Sequence, residues 1–347
     1  MKFGIFGGAR VGRADTLHDS HGYRDFINYV IAAEKIGFEG IFLVEHHFTG
    51  QGQLSASLNL LSYLAARTTR IRLGTGVVVL PWHNPVLLAE QIATLDVLSG
   101  GRVDLGIGRG YRKEEFDAFC VPMADAQERF NECLEVMLKA WSSDQRFTHN
   151  GKRWNYKDIM VEPAPLQRPH PPIWLAGGSP QGIAYVASQN YNLLLDQLAS
   201  IDEVRERVGA YLDGLQKIGQ PRDATRVGVA RSVTVVKNDA ERAKAIERRR
   251  ETFKRIGAIA YRAPGSLSMS HDDPDLANDD SALMGTPAEI IDRINVLAEA
   301  GAGYLLLTNA SITPEALQQF AEEIMPHVST TMRGNAEVAP RKTAFAR

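Results

Sequence analysis

The sequence holds two cysteines, Cys120 and Cys133, too few for a disulfide framework or a cysteine-built zinc site. It has no run of about 18 apolar residues, so nothing in it reads as a membrane span. The opening Met1-Lys-Phe-Gly-Ile-Phe6 lacks the basic-then-apolar layout of a signal peptide and reads as a strand. There is no basic block of the kind that grips nucleic acid, and the formal net charge is −2. A Walker motif is absent, and Gly106-Ile-Gly-Arg-Gly110 has the wrong pattern and position for a dinucleotide fingerprint. No His-x-His pair and no helical His-x-x-x-His pair occurs, and His18 and His21 fall in a loop, so no resident metal is expected. What remains is an ordinary globular composition: 347 residues, 44% hydrophobic and 23% charged. Disordered, collagen-like and coiled-coil readings are excluded. The expectation is a soluble cytoplasmic α/β protein that handles a small molecule.

Apolar runs of strand length alternate with segments of helical period. Strands are predicted at 2–6, 40–44, 71–80, 102–107, 173–176, 192–195, 227–236 and 304–308. Helices are predicted at 22–37, 54–68, from Asn84-Pro85 to Ser99-Gly100, then at 125–141, 180–189, 202–218, 239–257, 287–300 and 313–325. Phe26, Tyr29, Val30, Ala33 and Ile36 recur at the helical period. Asn84 suits an N-cap, Pro85 the first helical position and Gly100 the C-terminal stop. Asn150-Gly151 marks a hairpin within 145–170, outside the repeating pattern. The segment 262–284 is acidic and aperiodic, and the tail from 329 to 347 is polar. Eight strand-then-helix units rich in Val, Ile and Leu predict a parallel sheet covered on both faces. A closed (β/α)8 TIM barrel over residues 1–328, with the hairpin and the 262–284 segment as insertions, is the first expectation, and an open doubly wound sheet is the second.

In a barrel the chemistry sits after the strands, at their C-terminal ends. Those positions hold Glu45-His46-His47, Pro81-Trp82-His83, Gly108-Arg109-Gly110-Tyr111, Gly177-Gly178-Ser179 and Thr308-Asn309. Gly177-Gly178-Ser179 precedes a helix, where free amides suit a phosphate, although a plain helix cap has the same signature. Arg109 between glycines suits a phosphate or a structural ion pair. Adjacent strand residues face opposite ways, so His46 and His47 cannot both face inward unless the strand has ended. A single neutral histidine that moves or holds a proton fits this better than a metal ligand. Arg10 and Arg13 could bind an anionic substrate, although surface arginines are the default.

These motifs, in this order, resemble the bacterial-luciferase-like flavin monooxygenases. The resemblance runs through Met1-Lys-Phe-Gly-Ile-Phe6, Gly37-Phe-Glu-Gly-Ile-Phe-Leu-Val-Glu-His-His-Phe-Thr49 and Leu73-Gly-Thr-Gly-Val-Val-Val-Leu-Pro81. It continues in Pro85-Val-Leu-Leu-Ala-Glu-Gln91, Leu95 to Gly110, Gly285-Thr-Pro-Ala-Glu-Ile290 and Ala300 to Leu307. It implies a barrel that binds reduced FMN, supplied by a separate NAD(P)H flavin reductase, and uses O2 to oxidise a small organic substrate. It also implies a homodimer. Carried over by position, His46 is the catalytic histidine and Gly76-Val77 a non-prolyl cis peptide beneath the flavin. Arg109 and, at a less regular spacing, Arg129 match phosphate-contacting arginines, and Ala176, Gly177, Gly178 and Ser179 match the phosphate loop. Gly108 and Tyr111 complete the candidate cofactor set. Gly108 stands where luciferases can carry a cysteine, and Gly177 where they carry a glutamate, which argues against light emission. The 262–284 segment matches a mobile lid. The rival readings are a deazaflavin (F420)-dependent oxidoreductase on the same fold, a flavin-binding protein without catalysis, and a metal-dependent barrel hydrolase.

Overall fold

Eight parallel strands close into a ring. In the computed structural model, which describes residues 1–9, 21–50, 53–142, 145–257, 281–308 and 313–328, the strands in chain order are as follows. They are β1 (Lys2–Gly7), β2 (Gly40–Leu43), β3 (Arg72–Thr75), β4 (Val78–Val79), β5 (Val103–Gly108) and β6 (Phe147–Asn150). Then come β7 (Asn155–Ile159), β8 (Ile173–Ala176), β9 (Asn192–Leu195), β10 (Val227–Val235), β11 (Leu283–Gly285) and β12 (Tyr304–Thr308). The helices are α1 (His21–Lys35), α2 (Ser57–Arg67), α3 (Pro85–Ser99), α4 (Lys113–Ala118) and α5 (Ala126–Ser142). They continue with α6 (Pro180–Ser188), α7 (Ile201–Lys217), α8 (Asp239–Gly257), α9 (Pro287–Glu299) and α10 (Pro314–Glu323).

The ring runs β1-β2-β3-β5-β8-β9-β10-β12, and β12 pairs back onto β1 through Lys2↔Tyr304 to Phe6↔Thr308. That last pairing excludes the open sheet. Alternation along the strands builds two apolar layers. Ile5, Ile41, Leu43, Leu73, Leu105, Ile107, Leu193, Val229 and Leu305 pack outward against the helices. Phe42, Trp174, Leu194, Tyr304 and Leu306 fill the ring itself, with Phe6 and Val77 packed on them. Tyr304 fits because its neighbours have no side chains: a Cβ on Gly4 or Gly40 would lie 2.6 Å from its hydroxyl oxygen. Trp174 and Tyr304 also line a cavity of about 400 Å3 at the N-terminal end of the strands. That end is opposite the chemistry-bearing loops, and its ion pair, Arg72 on Asp104 at 2.6 Å, serves the fold. Among the described residues no helix is long and apolar enough to cross a membrane.

Local signals act as the sequence suggests in several places. Asn84 Oδ1 accepts from the amides of Val86 and Leu87, both at 3.1 Å, and Gly100 ends α3 with φ of 69°. Thr286 and Ser200 form capping boxes with Glu289 and Glu203.

Four expectations need correction. The strand expected at 71–80 is two strands, because the Gly76–Val77 peptide is cis and turns the chain between β3 and β4. The hairpin β6-β7 is present, but its loop is Gly151–Trp154 rather than a two-residue Asn-Gly turn, since Asn150 pairs with Asn155. Glu132 of α5 reaches into that loop and accepts from the amides of Arg153 and Trp154, which opens the turn. The helix α4 was not expected. The segment 262–284 is not wholly irregular: Leu283–Gly285 forms β11, which pairs with β10 outside the ring. Residues 262–280 of that segment, which hold most of the expected lid, Arg10, Arg13, Asn309 and the tail 329–347 lie outside the described residues.

Candidate active site

β2, β4, β5 and β8 end side by side, so the loops after them share one mouth of the barrel. The two histidines after β2 part company there. Nδ1 of His46 lies 3.2 Å from Oε1 of Glu115, on α4. The same oxygen accepts the backbone amide of His47 at 2.8 Å. Ionised Glu115 can only accept, so the His46 proton sits on Nδ1 and Nε2 keeps its lone pair. His47 turns the other way. Its Nε2 meets Oε1 of Glu45 at 3.1 Å, and His83 Nε2 meets the same oxygen at 3.2 Å. The His47 ring packs edge-on against Trp82 and Phe119, with centroids 5.5 and 4.8 Å away. His47 is thus part of an aromatic wall, while His46 stands apart with Tyr111 edge-on at 6.2 Å.

Burial sets the electrostatics. Desolvation lowers the His46 pKa, and the nearby Arg112 charge adds to this; hydrogen bonding to Glu115 offsets only part. His46 is therefore neutral near pH 7. Burial also pushes on the Glu45 carboxyl, upward, but hydrogen bonds from His47 and His83 outweigh it and its pKa falls. A histidine whose folded pKa lies below its unfolded value of about 6.5 leaves the unfolded chain the better proton binder. Its contribution to stability is then complete above that value and is lost as pH falls through it. We expect wild type to lose stability in urea between pH 7.5 and 5.5, and His46→Gln to lose less. Parallel losses in the two proteins would show that His46 is not held neutral.

The glycine at the end of β5 has a steric cause. A Cβ on Gly108 would lie 2.5 Å from Cγ2 of Val77, so the residue after the cis peptide occupies the space a cysteine would need. Pairing of Ile107 with Leu175 puts Gly108 and Arg109 beside Ala176 and Gly177. Arg109 is exposed and reaches Gln127 Oε1 on α5 at 2.9 Å. Arg129 is half-buried; it reaches the Pro81 carbonyl at 3.4 Å, and its Nε has no acceptor. Neither guanidinium meets a carboxylate among the described residues. In the glycine loop, Gly177 donates to Leu194 O at 3.2 Å, and Ser179 caps α6 by accepting from Gly182 at 3.1 Å. Arg109 thus lies next to this loop in the ring but turns towards α5. Sequence reasoning did not single out Arg207, which lies 3.7 Å from where a Gly178 Cβ would be and is held by Asp196 and Glu203. Glu115 and Arg112 were also missed; a short charged helix start carries no period to reveal them. Among the described residues no three His, Cys, Asp or Glu groups converge as a metal set.

The sequence matches the luciferase-like monooxygenase family over residues 1–303. The chain belongs to that family, and the site just described is the mouth of its barrel. It is 32% identical, over 54% of its length and 52% of the relative's, to the oxygenase component of the flavin-dependent trigonelline monooxygenase of Acinetobacter baylyi. It is 29% identical, over 85% of each chain, to the FMNH2-dependent dimethylsulfone monooxygenase of Pseudomonas putida. Its fold is similar to that of the monooxygenase RslO1 from Streptomyces bottropensis, with a TM-score of 0.81, 25% identity, and coverage of 95% of this chain and 100% of that one. The chain spans about half the length of two of the curated relatives it matches.

Proposed function

We propose that this protein is the oxygenase component of a two-component monooxygenase. It takes reduced FMN from a separate NAD(P)H-dependent flavin reductase and uses O2 to oxidise a small organic substrate. The observation that carries this reading is a pair of guanidinium groups, Arg109 and Arg129, without carboxylate partners among the described residues, at a mouth that also holds a half-buried neutral His46. An FMN phosphate fits the first feature: Arg109, Arg129 and the loop Ala176–Ser179 supply cations and amides at a helix start. Val77, packed against Gly108, and Tyr111 would border the ring. Bound there, reduced flavin supplies the electrons for oxygen chemistry.

The chain's own part is to orient, exclude water and handle a proton. Glu115 fixes the His46 ring, and its Nε2 accepts or shares a proton at the reacting centre. The wall of His47, Trp82 and Phe119 is apolar and keeps the site dry. The relatives' activities agree with this class while differing in substrate. The test couples the protein to a flavin reductase with NADH, FMN and 18O2 over a panel of small organic molecules. One labelled oxygen atom in a product supports the reading. Substrate oxidation by hydride loss, with no label and no need for O2, would replace it with a dehydrogenase.

A homodimer belongs to the same proposal. The exposed stripe Leu87, Gln91, Thr94, Leu98 of α3 carries no charge, and Tyr63 of the neighbouring α2 extends it. Such a face is what a second copy would cover. Sedimentation equilibrium checks it, and a monomer at micromolar concentration would remove the idea.

A further inference from the structure

Among the described residues, Arg112 is a buried cation without a matching anion. It is 4% exposed, follows β5 and caps the start of α4. Its contacts are few: Nη1 lies 3.4 Å from Gln53 Oε1, and the guanidinium stands 5.6 Å from the centre of the Tyr111 ring. Nε is buried with no acceptor, while Nη2, with no hydrogen bond among the described residues, lies at an open edge of the group. The two acidic side chains near it are committed elsewhere, Glu115 to His46 and His47, and Glu45 to His47 and His83. Two arginines at the opposite end of the barrel are fully engaged. Arg102 makes five hydrogen bonds, and Arg72 lays its Nε and Nη2 edge on both oxygens of Asp104 at 2.6 and 2.9 Å. A charge withdrawn from water and left unpaired is costly, so a site that keeps one is built for a partner that arrives later.

We infer that Arg112 recognises a carboxylate carried by the organic substrate, through the same Nε and Nη2 edge that Arg72 offers Asp104. This rests on the monooxygenase reading. Arg112 reaches Gln53 and acts electrostatically on His46, whereas Arg109 reaches α5, so the two cations face different groups. A planar guanidinium fork matches two carboxylate oxygens, and an amide of the same shape lacks the charge. The carboxylate would hold the rest of the substrate within reach of His46.

The experiment titrates FMN-loaded protein by calorimetry with formate, acetate, butyrate and benzoate, each against its primary amide. At least one carboxylate should bind about 10- to 100-fold tighter than its amide. Arg112→Met should erase that preference, and Arg112→Lys should keep part of it. Arg112→Met should also melt no lower than wild type, because it removes an unpaired buried charge. No preference for any carboxylate, or a preference that survives in Arg112→Met, would overturn the proposal. So would weaker binding of FMN but not of riboflavin by Arg112→Met, which would give Arg112 to the cofactor phosphate. Failure of wild type to bind reduced FMN would instead sink the monooxygenase reading, and the same titrations on flavin-free protein would then decide the carboxylate proposal by themselves.

Discussion

Replacing His46 with alanine should lower single-turnover product yield by about 10²–10⁴-fold, the usual contribution of a positioned acid or base. Affinity for reduced FMN should change little, because the proposed phosphate contacts, Arg109, Arg129 and the loop 176–179, are untouched. His46 is suited to the role by three features that act together. It directly follows a barrel strand, its Nδ1 proton is fixed on Glu115, and burial keeps the ring neutral. Glu115→Gln should give a smaller loss with a shifted pH profile, since the ring stays but its orienting charge goes. His47→Ala is the control. Its ring belongs to the aromatic wall, so its loss should cost stability before chemistry. If His47→Ala stops turnover and His46→Ala does not, the roles are reversed. If both retain it, the motif is structural.

Arg109→Ala should weaken FMN binding by about 10- to 150-fold, the worth of one charged hydrogen bond of about 1.5–3 kcal/mol. The fold should survive, because the side chain is exposed and its partner among the described residues is the neutral Gln127. Riboflavin lacks the phosphate and should bind wild type and variant alike. Equal losses for FMN and riboflavin in a fluorescence titration would make Arg109 structural and remove the phosphate assignment.

Much of the barrel was legible because its strands are short apolar runs between turn signals. β8, β9 and β12 begin and end where the residue pattern places them, and α3 begins and ends on its own cap residues. The closure of the ring was not fixed by pattern alone; it depends on β12 meeting β1 across 300 residues of chain. The candidate site was legible in part for the same reason, since strand-end position names His46, Arg109 and the glycine loop. Glu115 was not, because α4 has six residues and its link to His46 spans 69 positions, neither of which leaves a period to read. Arg112 was hidden differently: a charged residue in a polar stretch reads as surface, and only folding buries it. The open hairpin loop at Gly151–Trp154 was missed because the residue that shapes it, Glu132, lies on another element.

The central claim is that this barrel exchanges a reduced flavin with a reductase. Anaerobic titration of the protein with reduced FMN, oxidised FMN and reduced F420 tests it most directly. Reduced FMN should bind about tenfold or more tighter than oxidised FMN, a difference of about 1.4 kcal/mol, and F420 should not displace it. Equal or reversed affinity for the two forms of FMN, or tight binding of F420 in its place, would contradict the account.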